Sequence, residues 1–317
     1  MTNLVNKISG ALYGVAVGDA LGAPLEFMSA AEITRKYGNA VKDMIGGGWR
    51  NVEPGEVTDD TQMTIAVALA IAMHPEEPEP YAGQYFAEWA MGGPKDIGGT
   101  CRSAITNALQ MMTQRPELKD CKGLAPYDLW VKASQLTAEQ NGHRSAGNGA
   151  LMRTVYPGLY YPDRDRAADA ADRIGLMTHW DDLSREACVL YTDMLHLITS
   201  SNKPMAELWY TAQKCLEGTR YQKIRQRDVK PTGFVVDSFK CALWCIQNTK
   251  SFESALIKAV NLGGDADTIG AITGGLAGAL YGYDAIPVRW RIMLDRKTRL
   301  TLIQLAGDAI ISRQAGE

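Results

Sequence analysis

What this 317-residue chain lacks narrows the search first. It has six cysteines, Cys101, Cys121, Cys188, Cys215, Cys241 and Cys245, and no Cys-x-x-Cys pair, which excludes a zinc ribbon and a thioredoxin-like redox motif. Cys241 and Cys245 share one helix face and read as reduced core residues, so a reducing, cytoplasmic compartment is expected. There is little excess charge of either sign, with a formal net charge of -3, and hence no electrostatic reason to expect a nucleic-acid or membrane partner. No apolar run is read as approaching the ~20 residues a membrane helix needs. The stretch "ISGALYGVAVGDALGA" after Lys7 has the texture of a secretory signal, but Asp19 and several glycines interrupt it and "GDALGAPLEF" runs on without a break, so that reading is rejected. Strand-like alternation nowhere exceeds four or five residues, and no linker is long enough to divide the chain.

What is present is helical periodicity. Apolar residues recur at spacings of three and four, predicting helices over 8–20, 61–73, 81–91, 101–112, 127–140, 165–177, 183–199, 204–216, 232–247, 252–262, 268–281 and 288–311. Ser251 is a favoured N-cap, with Glu253 in the first turn, where the helix dipole suits an acid. "HPEEPEP", "RPELKDCKGLAP" and "YYPDRDR" read as loops because their prolines block helix. The basic stretch from Arg220 to Lys230 reads as solvated surface. The expected fold is all-α: a compact single-domain orthogonal helical bundle over residues 1–317. Two segments, "GALYGVAVGDALGA" and "AITGGLAGALYG", are rich in small residues. Glycine inside a helix costs about 1 kcal/mol against alanine, so close helix packing must compensate. Both helices are expected at the centre, and setting them against each other is one arrangement that supplies it.

Two helix starts carry oxygen-rich clusters. "GEVTDDTQM" places Thr58, Asp59 and Asp60 before an apolar run, and "GGDADTIG" places Asp265, Asp267 and Thr268 before another. Singly, each is explained by capping, and Asp59 with Gln62 resembles a capping box. Jointly, capping leaves carboxylates over. Four of them brought together repel unless a cation lies between. Oxygen donors select magnesium, manganese or calcium, and four carboxylates with two hydroxyls suffice for two such ions.

Three glycine-rich loops remain: "IGGGWRNVEPGE", "MGGPKDIGGT" and "GHRSAGNGALMR". Glycine lets backbone N–H groups approach a ligand, and a helix N-terminus favours phosphate. Beside two acidic clusters, these loops point to a cleft for a phosphorylated polyol. Glu26, after a proline bend, reads as a solvated loop acid or as a site residue. His179 reads as a structural histidine or as a contact to a ligand.

Taken together, "GDALGAPLEF", "GEVTDDTQM", "DIGGT", "GNGALMR" and "GGDADTIGAITGGLAGALYG" resemble the ADP-ribosylglycohydrolase family, which includes the dinitrogenase reductase-activating glycohydrolases. The resemblance runs from Gly10 to Gly282. It implies an all-α fold with a central binuclear cleft for two Mg2+ or Mn2+ ions. It further implies hydrolysis of the glycosidic bond between ADP-ribose and a protein side chain, arginine first. Carried over by position, Thr58, Asp59, Asp60, Asp265, Asp267 and Thr268 are the expected metal ligands. Asp59, Asp60 and Glu26 are the expected catalytic carboxylates, with Glu26 over the distal ribose. Asp96, Gly98, Gly99, Ser145, Gly147, Asn148, Gly149 and His179 are the expected substrate contacts. Ala266 stands where relatives often carry Thr or Ser, "THWDD" lacks their proline, and Trp49 and Arg144 match no family signature. The expected partner is an ADP-ribosylated protein or ADP-ribosyl small molecule. The alternatives are a different leaving group (serine, a nucleic-acid base or a small-molecule adduct) and a catalytically silent scaffold.

Overall fold

A computed structural model describes residues 3–118 and 124–316. The helices are α1 (Asn3–Gly22), α2 (Ala30–Tyr37), α3 (Asp59–Met73), α4 (Glu79–Met91), α5 (Gly99–Thr113), α6 (Tyr127–Gln140), α7 (Val155–Tyr160) and α8 (Arg164–Leu176). They continue with α9 (Asp182–Thr199), α10 (Met205–Lys214), α11 (Val235–Gln247), α12 (Phe252–Val260), α13 (Ala266–Tyr281), α14 (Val288–Met293) and α15 (Arg296–Ala315). Among the described residues there is no strand, only isolated bridges. The expected all-α architecture is the observed one.

The centre is the pair α1 and α13, which run antiparallel. Gly10 faces Gly278, Gly14 faces Gly274 and Gly18 faces Gly270; a Cβ at any of these would collide with the carbonyl opposite. The backbones touch, which compensates the glycine cost and explains why both helices are buried on nearly every side. Being antiparallel, the pair brings the C-terminal end of α1 beside the N-terminus of α13. That end of the pair carries the site.

The helix α1 corrects one expectation. The span Asn3–Leu25 is long and apolar enough to cross a membrane by length and composition, but 94% of that window is buried inside the protein. Its apolar character is spent on the core.

Other departures have local causes. The predicted helix over 288–311 is two helices, because Asp295 breaks it and caps α15, accepting from Thr298 N at 3.0 Å. The helix α2 went unpredicted although Ser29 and Glu32 form a reciprocal capping box; eight residues hold too few apolar repeats to register. The helix α7 was hidden by Pro157 and Gly158. Proline also fails to stop α4, since Pro80 sits in its first turn, where no N–H is needed. Of the predicted loop over 115–126, residues 119–123, including Cys121, lie outside the described residues. The five described cysteines are free thiols, and Cys241 and Cys245 are buried.

Candidate functional site

The two acidic clusters meet. A cleft of about 470 Å³ opens where the α1–α13 pair ends, and its lining includes Glu26, Asp59, Asp96, Asp265 and Asp267. Asp60, Thr58 and Thr268 lie buried around it without lining it.

The carboxylates are not caps. Thr58 is the N-cap residue of α3 but makes no side-chain cap bond, and Asp265 makes none for α13. Gln62 does not close a box with Asp59: its amide donates to Val57 O at 3.2 Å and accepts from Trp89 Nε1 at 2.7 Å. The capping of α3 is done from another helix. Asp19 of α1, fully buried, accepts from Thr58 N (3.0 Å), Thr58 Oγ1 (2.7 Å), Thr61 N (3.1 Å) and Thr61 Oγ1 (2.5 Å). Asp59 and Asp60 are thereby released. Asp59 Oδ2 accepts only a long bond from Gly98 N, at 3.3 Å. Asp60 Oδ1 is buried with no hydrogen-bond partner, a costly state for a carboxylate oxygen that nothing else occupies. Sequence reasoning passed over Asp19 as a residue of the site. Its signal was a lone acid inside a helix apolar on all sides, which must find partners to be buried.

Burial drives the electrostatics. Asp59, Asp60 and Asp267 all have pKa values raised well above the carboxylate norm, first by desolvation and then by neighbouring acids: Asp96 foremost for Asp59, Asp19 for Asp60 and Asp60 for Asp267. The Thr268 hydroxyl, from the second cluster, acts on Asp60 in the opposite sense. Asp19 is lifted to about 6 by burial in spite of its hydrogen bonds. Glu26 is lifted to about 7, again chiefly by burial, and Asp96 is raised for the same reason. Glu26 is therefore no solvated loop acid; it is 7% exposed.

Glu26 reaches the site through backbone pairing. Phe27 N donates to Gly264 O and Gly264 N to Met28 O, both at 2.7 Å. Gly263 and Gly264 have positive φ, and a Cβ there would strike the carbonyls of Met28 and Pro231, so only glycine permits this approach. Phe27 itself is held at φ 62, an unfavourable state for a bulky residue of the kind that clusters at functional sites. Glu26, Asp96 and Asp267 each place one carboxylate oxygen within 4.8 Å of the others.

The loop over 146–149 is stitched to 233–235: Asn148 N donates to Gly233 O and Val235 N to Ala146 O, each at 3.0 Å. Asn148 and Gly147 line the cleft, as do Gly149, Gly98 and Gly99. The Asn148 amide also donates to Asp265 Oδ2 at 2.7 Å and to Ser238 Oγ at 2.9 Å, so it orients an acid of the second cluster. Ser145 is buried with its hydroxyl unpartnered and does not line the cleft.

His179 lines the cleft with its Nε2 edge near Gly147 and Gly149. Burial and the Arg153 charge hold its pKa down to about 3, so it is neutral. Arg153 donates to Thr178 Oγ1 at 2.7 Å, and Thr178 Oγ1 lies 2.8 Å from His179 Nδ1. A hydroxyl that accepts from arginine can donate onward, so this chain assigns Nδ1 as acceptor and leaves Nε2–H as a donor at the cleft.

A sequence profile described as ADP-ribosylglycohydrolase matches residues 1–317. The chain is 35% identical over 296 residues to an ADP-ribosyl-[dinitrogen reductase] glycohydrolase of Rhodospirillum rubrum, covering 92% of this chain and 91% of the relative. It is 27% identical to the ADP-ribosylarginine hydrolase Tri1 of Serratia proteamaculans, over 94% and 77% of the two chains. A solved structure titled "ADP-ribosylglycohydrolase-related protein complex" superposes with a TM-score of 0.78 at 26% identity, over 99% of this chain and 100% of that one. On these similarities the chain belongs to the ADP-ribosylglycohydrolase family of enzymes.

Proposed function

We propose that this protein hydrolyses the glycosidic bond joining the distal ribose of ADP-ribose to an arginine side chain of a modified protein. The whole chain, 1–317, acts as one domain in this reading, and its free thiols suit a cytoplasmic setting. The observation that carries the reading is the meeting of Asp59, Asp265 and Asp267 at one cleft, with Asp60 buried beside it and none of the four engaged as a cap. The named activity of the Serratia relative directs it to ADP-ribosylarginine, and that of the Rhodospirillum relative to an ADP-ribosylated protein.

The donor set fits hard divalent cations. It is all oxygen, it includes the unpartnered Asp60 Oδ1, and Thr58 Oγ1 donates its proton to Asp19, leaving its lone pairs to face the acids. Thr58, Asp59, Asp60, Asp265, Asp267 and Thr268 would hold two ions, Mg2+ or Mn2+. Bound there, such ions supply Lewis acidity, lowering the pKa of water and orienting a sugar diol.

The remaining work falls to the chain. Asp59 or Asp60 takes the proton as water attacks the anomeric carbon, and Glu26, its carboxyl near neutral pKa, is the second candidate to hold it. The surrounding carboxylates favour an oxocarbenium-like transition state. The N-terminus of α5 has Gly98 as its N-cap and no side-chain cap bond; Gly98 N is turned to Asp59, and the first-turn N–H groups from Gly99 onward are the ones that would meet a pyrophosphate. His179 Nε2–H and the loop over 147–149 hold the nucleotide, with Asp96 toward the distal ribose.

The test is release of ADP-ribose from arginine-, serine- and base-linked substrates by protein stripped with chelator and restored with magnesium or manganese. Restored activity on the arginine linkage is expected. Asp59→Asn should lower kcat by about 10²–10⁴-fold while the far-UV circular dichroism stays unchanged. Release from serine or a base alone would refute the arginine assignment, and an active Asp59→Asn variant would refute the site.

A further inference from the structure

Trp49 and Arg50 stand at the mouth of the same cleft, and the reaction above gives them no task. They form the tip of a small hairpin closed by Gly47 N to Val52 O (2.7 Å) and Val52 N to Gly47 O (2.9 Å). The Trp49 ring is 58% exposed and tilts against Phe27, 65% exposed, at 5.3 Å between centroids. Its indole N–H donates to Glu26 Oε2 at 2.7 Å.

Arg50 lies folded back over this surface. Its guanidinium carbon is 4.0 Å from the centre of the Trp49 ring. It pairs with Asp96, approaches Glu26 at 3.4 Å and donates to the Lys95 carbonyl at 2.6 Å. An aromatic face, two carboxylates and a carbonyl are the groups that recognise a guanidinium. Both carboxylates also belong to the acidic group that includes Asp267, beside the place where the scissile bond must lie. A guanidinium held at this spot is therefore where a substrate's arginine has to be.

Resting on the arginine reading of the function, we infer that Trp49, Glu26 and Asp96 form the subsite for the leaving arginine side chain, and that Arg50 occupies it until substrate displaces it. Trp49 and Arg50 then determine specificity with opposite signs. Trp49 favours an arginine-linked substrate through its ring. Arg50 competes with that substrate and with no part of ADP-ribose. A leaving group without a guanidinium has nothing with which to displace Arg50.

The experiment compares wild type with Trp49→Ala, Trp49→Phe and Arg50→Ala, all loaded with manganese. It reads KM and kcat for an ADP-ribosyl-arginine peptide, the inhibition constant of ADP-ribose, and competitive inhibition by methylguanidinium. Trp49→Ala should raise KM for the peptide about three- to fivefold, the size of a cation–π contact at a solvent-exposed ring, with ADP-ribose inhibition within about twofold of wild type. Trp49→Phe, which keeps the ring, should retain most of the preference. Arg50→Ala should lower the peptide KM and tighten methylguanidinium inhibition, because the internal competitor is gone. If Arg50 is only a fixed ion-pair partner, its removal should raise KM for the peptide and weaken ADP-ribose alike. That result, or Trp49→Ala shifting peptide and ADP-ribose equally, overturns the inference while wild-type activity on arginine leaves the proposed function standing. A wild type that binds ADP-ribose but releases none from arginine defeats the function itself.

Discussion

Asp19 illustrates how one buried acid sets the chemistry of its neighbours. By receiving the N–H and hydroxyl groups of Thr58 and Thr61, it does for α3 what Asp59 or Asp60 would otherwise do. Asp19→Asn would keep the volume but present an amide donor to Thr58, forcing that hydroxyl to accept and to surrender a lone pair. Manganese affinity measured by calorimetry should fall about 10–100-fold, as for other groups that orient a ligand; unchanged affinity would show that Thr58 is not oriented this way. Histidine gives a separate prediction. Burial holds His179 to about 3 and His196 to about 4, both below the unfolded value of about 6.5. The unfolded chain therefore binds protons first. Stability should be whole above pH ~6.5 and fall toward pH 4 by about 1.4 kcal/mol per unit for each histidine. Because the buried acids shift stability the opposite way over this range, denaturant midpoints of wild type and His196→Gln at pH 7 and 5 measure the histidine share, and the same pH dependence in both would contradict it.

Among the elements, α1 and α13 matter most, and their texture was readable. Runs of glycine and alanine within apolar helices required contact between backbones, and Gly14 against Gly274 supplies it. Gly14→Ala should destabilise by about 3 kcal/mol or more, since both sides of the clash are backbone and neither can rotate away. The control is Gly307→Ala on α15, where a Cβ meets nothing within 4 Å and helix propensity predicts about 1 kcal/mol of stabilisation. Thermal unfolding of the pair would decide it; equal effects would mean the helices are not in contact. The unpredicted elements share a cause. In α2 the cap was stronger than the periodicity, and in α7 the neighbours in space outweighed a proline and a glycine.

Across the whole molecule, the acids impose a coupling between pH and cation. Asp59, Asp60 and Asp267 have raised pKa values in the folded state without a cation. Such groups contribute stability below their unfolded pKa of about 4, which is lost as pH rises through the folded values. A divalent ion replaces the protons and reverses that loss. The rise in Tm on adding manganese should thus grow from pH 5 to pH 8, and each ion bound should release protons. A manganese effect independent of pH would mean that the carboxylates are not where the ion binds.

The order of motifs along the chain was enough to establish that the protein is helical, which helices lie at its centre and to which family it belongs. Helical periodicity and backbone-contact glycines are local properties, and a pattern of short motifs survives without knowledge of the fold. Three things needed the folded chain. The first is that two acidic clusters about two hundred residues apart in the sequence face each other, because α13 starts beside the C-terminal end of α1 and Asp19 at that end holds the start of α3. The second is that Asp59 and Asp60 are free to bind a ligand, because Asp19 on another helix satisfies the N–H groups they would have capped. The third is that Arg50 lies on Trp49 between Glu26 and Asp96. Adjacent residues at a hairpin tip carry no local signal of this; only burial beside two carboxylates drawn from elsewhere makes a guanidinium settle there.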